Sequence, residues 1–362
     1  VAVFGNNIYK ALDENYEYSP DLRWESVYAQ EIGVEFNAFK NRLHVEANYF
    51  NKTTKDLMTY AARGLGLKDK LLNGGSIRNW GEELSASWNQ NLSKDFSFTV
   101  SGNITFLKNK LLSLSDELAT AYLGRGFQNN GSAEARTAIG QPIGSFFGYV
   151  VEGIYQSYAD ILKSPPAGAL GAYRPGDFKF KDVNGDGIIS ADDRTVIGNP
   201  TPDFTYGGSV NLNYKGFSLG IDVAGVYGNE IFRTWGSLES PFQRVNYAAF
   251  QTGAWNGEGT SNFVPLVSQG DRFNYNGSSY NIEDGSYFRL RNLQIGYGFG
   301  SALLSKYKIS SLRLFANVQN LKTWKNNYGY SPEYGGDATA FGFDNGGNAL
   351  PRVSTIGINV TF

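Results

Sequence analysis

Side chains spaced for chemistry are concentrated at one place in this sequence. The run Asp182-Val183-Asn184-Gly185-Asp186-Gly187-Ile188-Ile189-Ser190-Ala191-Asp192-Asp193 reads like a calcium loop. Loops of the EF-hand kind place oxygens at their first, third, fifth, seventh and twelfth positions, with Gly at the sixth for a sharp turn. Here Asp182, Asn184, Asp186, the Ile188 carbonyl and Asp193 fill the oxygen positions, and Gly187 fills the sixth. Ser190 stands ninth, where a water often intervenes. The chemistry expected is capture of a Ca²⁺ ion that stiffens a surface loop. Asp instead of Glu at the twelfth position shortens the reach for bidentate binding, and no flanking helices are evident. The competing reading is a Gly-rich turn whose Asp and Asn side chains cap their own backbone.

Other chemistries find little support. The chain has no Cys and a single His, His44, so thiolate and imidazole-based zinc sites are excluded. His44 falls on the polar face of a strand near a short turn, which suits a lumen or rim residue better than a catalyst. Carboxylates are scattered without an evident acid and base pair. No phosphate-binding glycine motif follows a strand. The net charge of −2 and the lack of a basic block give no reason to expect nucleic acid. No enzyme is read here.

The elements that must carry these residues are strands. Aromatics make up 15% of the 362 residues and charged residues only 18%, with 44 Gly. Tyr, Phe, Gly and Asn in that abundance suit strands, turns and interfacial rings. In 96–106 the residues Phe96, Phe98, Val100, Ile104 and Phe106 alternate with Ser97, Thr99, Ser101, Asn103 and Thr105. The same period of two runs through 43–49, 206–214, 217–223 and 355–362. No apolar run is long enough for a transmembrane helix. A membrane protein built from such segments must be a closed barrel, because lipid satisfies no open backbone groups.

Strand length and turn asymmetry favour a membrane barrel over a soluble sandwich. The runs are long, where soluble strands average about 5–6 residues. Short turns fall at Lys40-Asn41, 92–95 and Lys215-Gly216, and long insertions at 113–143, 159–203, 231–285 and 324–351. Outer-membrane barrels have short periplasmic turns and long extracellular loops. Ten strands are expected: 24–39, 42–60, 77–91, 95–112, 144–158, 203–214, 216–230, 286–300, 309–323 and 352–362. A phase switch near Arg291-Asn292 predicts a β-bulge or a strand leaving the lipid band. Val1–Asn6 lacks the features of a signal peptide. The expectation is therefore a C-terminal portion of a wider all-β, antiparallel barrel, spanning 1–362, with the calcium-like loop 182–193 within it.

Several segments resemble the SusC/RagA family of TonB-dependent outer-membrane transporters of Bacteroidetes. They include 182–194 with Ile197-Gly198-Asn199-Pro200-Thr201-Pro202-Asp203-Phe204, and Pro20–Glu25 leading into Glu31–Phe36. Tyr49–Leu57, Ile77–Leu84, Phe288–Leu293 and Tyr330–Asp337 are similar to it as well. The resemblance implies a barrel of about 22 strands with a plugged lumen. It implies TonB-driven uptake of oligosaccharides or peptides and a SusD-like surface lipoprotein as a lid. The signal sequence, TonB box and plug would lie upstream of Val1. A SusC-like barrel serving as a scaffold, and a passive porin-type barrel, are the alternatives.

Three further groups of residues are candidates. Tyr328, Tyr330, Tyr334 and Trp255, with Phe242, Tyr247 and Phe250, could stack on sugars or meet a lid protein, or simply fold their loops. Asp222, Asn211, Arg289, Arg313 and Gln319 could line a transport path or be ordinary wall residues. Phe362 ends the last strand facing outward, and the resemblance implies it is the C-terminal aromatic read by the barrel-assembly machinery.

Overall fold

The computed structural model describes residues 2–4, 7–9, 17–61, 69–116, 118, 121–123, 134–170, 173–235, 248–267, 274, 276–300, 304, 308–347 and 349–362. Nine long strands form one antiparallel meander: β1 (Ser26–Ala38), β2 (Leu43–Ala61), β3 (Lys70–Asn91), β4 (Phe96–Leu114), β5 (Phe204–Tyr214), β6 (Phe217–Tyr227), β7 (Tyr287–Gly298), β8 (Ser311–Lys325) and β9 (Val353–Thr361). Each pairs with its sequence neighbours. The two-residue strand Glu17–Tyr18 joins the sheet as its tenth member, parallel to Lys70-Leu71 of β3.

The number ten was expected, but one member differs. Residues 144–158 do not enter the wall. They supply the short strands Ser145–Gly148 and Val151–Ile154 within a single excursion from β4 to β5. Phe146, Tyr149 and Ile154 face a buried loop core instead of lipid. Aromatic and β-branched residues favour a strand whichever apolar surface they cover.

The short turns are where the sequence put them. Phe39, Lys40 and Asn41 all have positive φ, at 52°, 60° and 63°. Lys215 and Gly216, at φ 45° and 86°, form the two-residue link between the paired residues Tyr214 and Phe217. Positive φ at both central residues matches the right-handed twist of the flanking strands. The Ser93 hydroxyl accepts from the Asp95 and Phe96 amides in the 92–95 turn. The long excursions 115–203, 228–286 and 326–352 all leave from the opposite end.

The two faces of the wall differ sharply. Outward, Phe98, Leu212, Leu219, Ile295, Ala316 and Ile356 stand in one register across six strands. Ile295 is 54% exposed and Ile356 is 87% exposed, so this apolar face has no protein cover. Aromatic rings border it at both ends. Phe96, Tyr214, Phe217 and Tyr297 line the short-turn end, with ring centroids 6.0 Å apart for Phe96–Tyr214 and 4.5 Å for Phe217–Tyr297. Phe204 stacks on Tyr227 at 5.0 Å at the other end, and Phe288 lies 5.5 Å from Trp324. Phe204 and Tyr214 are the two ends of β5. At a rise of about 3.3 Å per residue and a tilt of about 40°, they stand about 25 Å apart along the barrel axis, the height of a lipid-facing band.

Inward, the wall is polar and hydrogen-bonded between strands. Thr99 donates to Asn89 at 2.6 Å, and the hydroxyls of Ser101 and Ser209 meet at 2.7 Å. Asn292 donates to Asp222 at 3.0 Å, and Asn317 donates to Asn292 at 2.7 Å. The expected bulge is present. The β6–β7 register shifts between Asp222 and Val223, and the β7–β8 register shifts between Leu290 and Asn292.

The hydrophobic core sits in the long loops, not in the wall. One cluster gathers Tyr149, Ile154, Phe178, Phe180, Ile189 and Tyr280, among others. A second gathers Ala135, Phe146, Phe232 and Phe343. A three-stranded sheet of Ile282–Asp284, Glu230–Arg233 and Phe343–Asp344 ties two of the excursions together. The loops thus form one interlocked crown at one end of the wall.

Candidate transport surface

The loop at 182–193 folds as a turn stitched by its own carboxylates. Asp182 accepts from Gly185 at 2.7 Å and from Gly187 at 2.9 Å. Gly185 and Gly187 have φ of 75° and 83°, which a side chain would resist. Asp186 accepts from the Ile188 amide, and Asn184 accepts from the Asp186 amide, both at 2.9 Å. Asp193 returns to the start of the loop, accepting from Val183 at 2.8 Å and Asn184 at 3.3 Å through one oxygen and from Ser190 at 2.7 Å through the other. Burial pushes the Asp193 carboxyl up, but these amides and the neighbouring Asp182 side chain outweigh it and hold it below the usual carboxylate range. Among the described residues, no group of three or more His, Asp or Glu side chains is set to enclose a metal.

The aromatic candidates separate into different roles. Trp255 is part of the crown's own packing: its indole donates to Gln156 at 3.1 Å, and its ring lies against Gly176. Tyr328 stacks on Phe250 at 4.6 Å. Burial and the facing Asp344 carboxylate push the Tyr334 phenol up. Tyr330 is the most open of the four, at 73% exposed. Phe242 and Tyr247 lie outside the described residues.

Inside the wall runs an open trough of about 1090 Å³. Asp222, Arg289 and Gln319 line it, as expected, and so does His44. His44 contacts Asn37 at 3.0 Å through Nδ1. Asn211 and Arg313 do not line this trough; Arg313 donates to Ser218 at 3.0 Å lower in the wall. Phe362 is 87% exposed and keeps the outward phase of Ile356, Ile358 and Val360.

Two ion pairs were not legible in the sequence. Arg233 and Glu283, both buried, meet at 2.6 Å and join β6's outgoing segment to the one entering β7. Arg233 also lies over the Phe250 ring at 4.6 Å. Glu333 reaches back from the last excursion to the wall. It accepts from Tyr287 and from Arg289, each at 2.6 Å. Only folding brings these partners together, since they are separated by more than forty residues.

A wall with a bare apolar band, aromatic borders, a polar interior and one elaborate end defines an outer-membrane β-barrel segment. The family model "TonB dependent receptor-like, beta-barrel" matches residues 3–321. The chain belongs to that family, whose barrels lie in the outer membrane. It is 32% identical to TonB-dependent receptor P3 of Formosa agariphila, over 94% of this chain and 34% of that protein. It is 25% identical to TonB-dependent receptor SusC of Bacteroides thetaiotaomicron, over 99% of this chain and 34% of that protein. The solved RagAB peptide transporter superposes with a TM-score of 0.77 at 23% identity, covering 95% of this chain and 36% of that one. The chain therefore spans about a third of the length of these relatives. The relatives are receptors and transporters and not enzymes, in line with the sequence reading.

Proposed function

We propose that this chain forms wall and crown of a TonB-dependent importer for oligosaccharides or peptides. The observation that carries the reading is the polar trough inside the wall, overhung by an interlocked crown at one end only. Such a crown suits capture of a large solute and contact with a SusD-like lipoprotein lid, and TonB would supply energy through parts of the protein outside this sequence. Deleting the gene should abolish uptake of at least one class of defined glycan or peptide. Unchanged uptake of both classes would sink the proposal.

The 182–193 loop is proposed to take Ca²⁺, with Asp182, Asn184, Asp186, the Ile188 carbonyl, Ser190 and Asp193 as its oxygen donors. The loop spacing supports it, with oxygens at the first, third, fifth, seventh and twelfth positions and Gly at the sixth. Calorimetry on the intact barrel should show Ca²⁺ uptake that Asp186→Ala removes; no such heat would refute the site. Phe362 is proposed as the assembly signal, so Phe362→Ser should slow insertion into the outer membrane without changing the stability of barrels already folded.

A further inference from the structure

The bulge in β7 changes which side chains enter the lumen. In a regular strand, adjacent residues point to opposite faces. Tyr287 and Arg289 face inward before the bulge and Asn292 does so after it, so Arg291 is the extra residue between two phases. Arg291 and Asn292 consequently both line the trough, beside Gln319 and Asn320. The facing strand yields as well: Asn320 has φ 53°, where the β8 register slips between Gln319 and Lys322. Bulges re-aim side chains at functional positions.

Arg291 also differs from the other wall arginines in its partners. Arg289 is held by Glu333 at 2.6 Å and donates to Thr323 at 2.9 Å. Arg313 donates to Ser218. The trough is lined by two carboxylates, and both are engaged: Asp222 accepts from Asn292, and Glu333 accepts from Tyr287 and Arg289. Among the described residues, no hydrogen bond or ion pair reaches the Arg291 guanidinium, which acts on Tyr287 and Glu333 only at longer range, and the residue is exposed to the trough.

We propose that Arg291 is an anion-recognising contact on the transport path, taking a carboxylate carried by an acidic oligomer. The planar guanidinium presents paired donors that match a carboxylate. The Gln319 amide lines the trough beside it, while those of Asn292 and Asn320 are committed to Asp222, Asn317 and the Pro351 carbonyl. The inference rests on the import reading and narrows its substrate to acidic solutes. A carboxylate of this kind could belong to a peptide or to a uronic-acid oligosaccharide.

Binding to the purified, intact outer-membrane protein tests this without requiring energised uptake, so it fails separately from the import reading. The probes are hexaglutamate against hexaglutamine, and hexagalacturonate against a neutral hexagalactose. One acidic probe should bind more tightly than its neutral counterpart and thereby identify the source of the carboxylate. Arg291→Ala should weaken that binding by roughly tenfold or more, the loss expected for a charged hydrogen bond. Arg291→Lys should keep part of it. Equal binding of acidic and neutral probes by the native protein would overturn the proposal. So would native-like acidic binding by Arg291→Ala, including the case where that variant melts several degrees lower. The guanidinium would then serve a carboxylate of the protein's own chain.

Discussion

Replacing Arg233 by Met should loosen the crown while leaving the wall intact. The Arg233 side chain is 2% exposed and that of Glu283 is 7% exposed, with 2.6 Å between them. Burial already pushes the Glu283 carboxyl up, against the opposing pull of the Tyr328 amide and of Arg233. Removing the guanidinium leaves a buried carboxylate without its counter-charge, which costs roughly 3–5 kcal/mol. That corresponds to roughly a hundred- to several-thousandfold more local opening. Hydrogen exchange read by mass spectrometry should show faster exchange at 230–235, 280–285 and 343–345, with 204–227 unchanged. The pH dependence has a definite sign. A carboxyl raised in the folded state stabilises fully below its unfolded value, and that contribution is lost as pH rises through the folded value. The deficit of the variant should therefore shrink on acidification as Glu283 takes up a proton. Adding Glu283→Leu should restore most of the protection, because an apolar pair can replace a buried ion pair at little cost. Unchanged exchange in the crown, or a deficit that grows as pH falls, would refute the reasoning.

Three further outcomes follow from the structure. Asp193 is held below the usual carboxylate range, so its contribution is present above the unfolded value of about 3.9 and lost as pH falls through the folded one; amide protection at 183, 184 and 190 should drop there, and acid-resistant protection would count against it. Ile221→Lys places a charge near mid-height on the lipid face, in register with Val210 and Leu293. It should cost about 2–4 kcal/mol in urea unfolding from vesicles, whereas a cost near zero would show that this face does not meet lipid. At Gly216, φ is 86° and an added Cβ would lie 2.6 Å from the Gly298 carbonyl. Gly216→Ala should therefore destabilise the β5–β6 hairpin by about 1 kcal/mol or more, and a neutral or stabilising result in the same assay would show that the turn relaxes.

The wall was legible in the sequence because its physics is local. Alternation in β4, β5, β6 and β9 follows from one face meeting lipid and the other water, and each residue reports its own side. Lys40-Asn41, Lys215-Gly216 and the bulge beside Arg291 are also local, set by backbone conformations that few residues accept. The same logic gave the family resemblance, since its motifs are short and contiguous.

What only the tertiary structure decided is partnership. The apolar segment 144–158 could cover lipid or a loop core equally well, and Phe146 goes to the core because Phe232 and Phe343 meet it there. Arg289 and Arg291 are two residues apart in one strand with the same chemistry. One is tied to Glu333 from a distant loop; the other keeps the same inward phase and lines the trough at the bulge. Period-two patterning determines which side of a sheet a residue faces, but the choice of neighbour across long loops depends on chain closure, which no local pattern encodes.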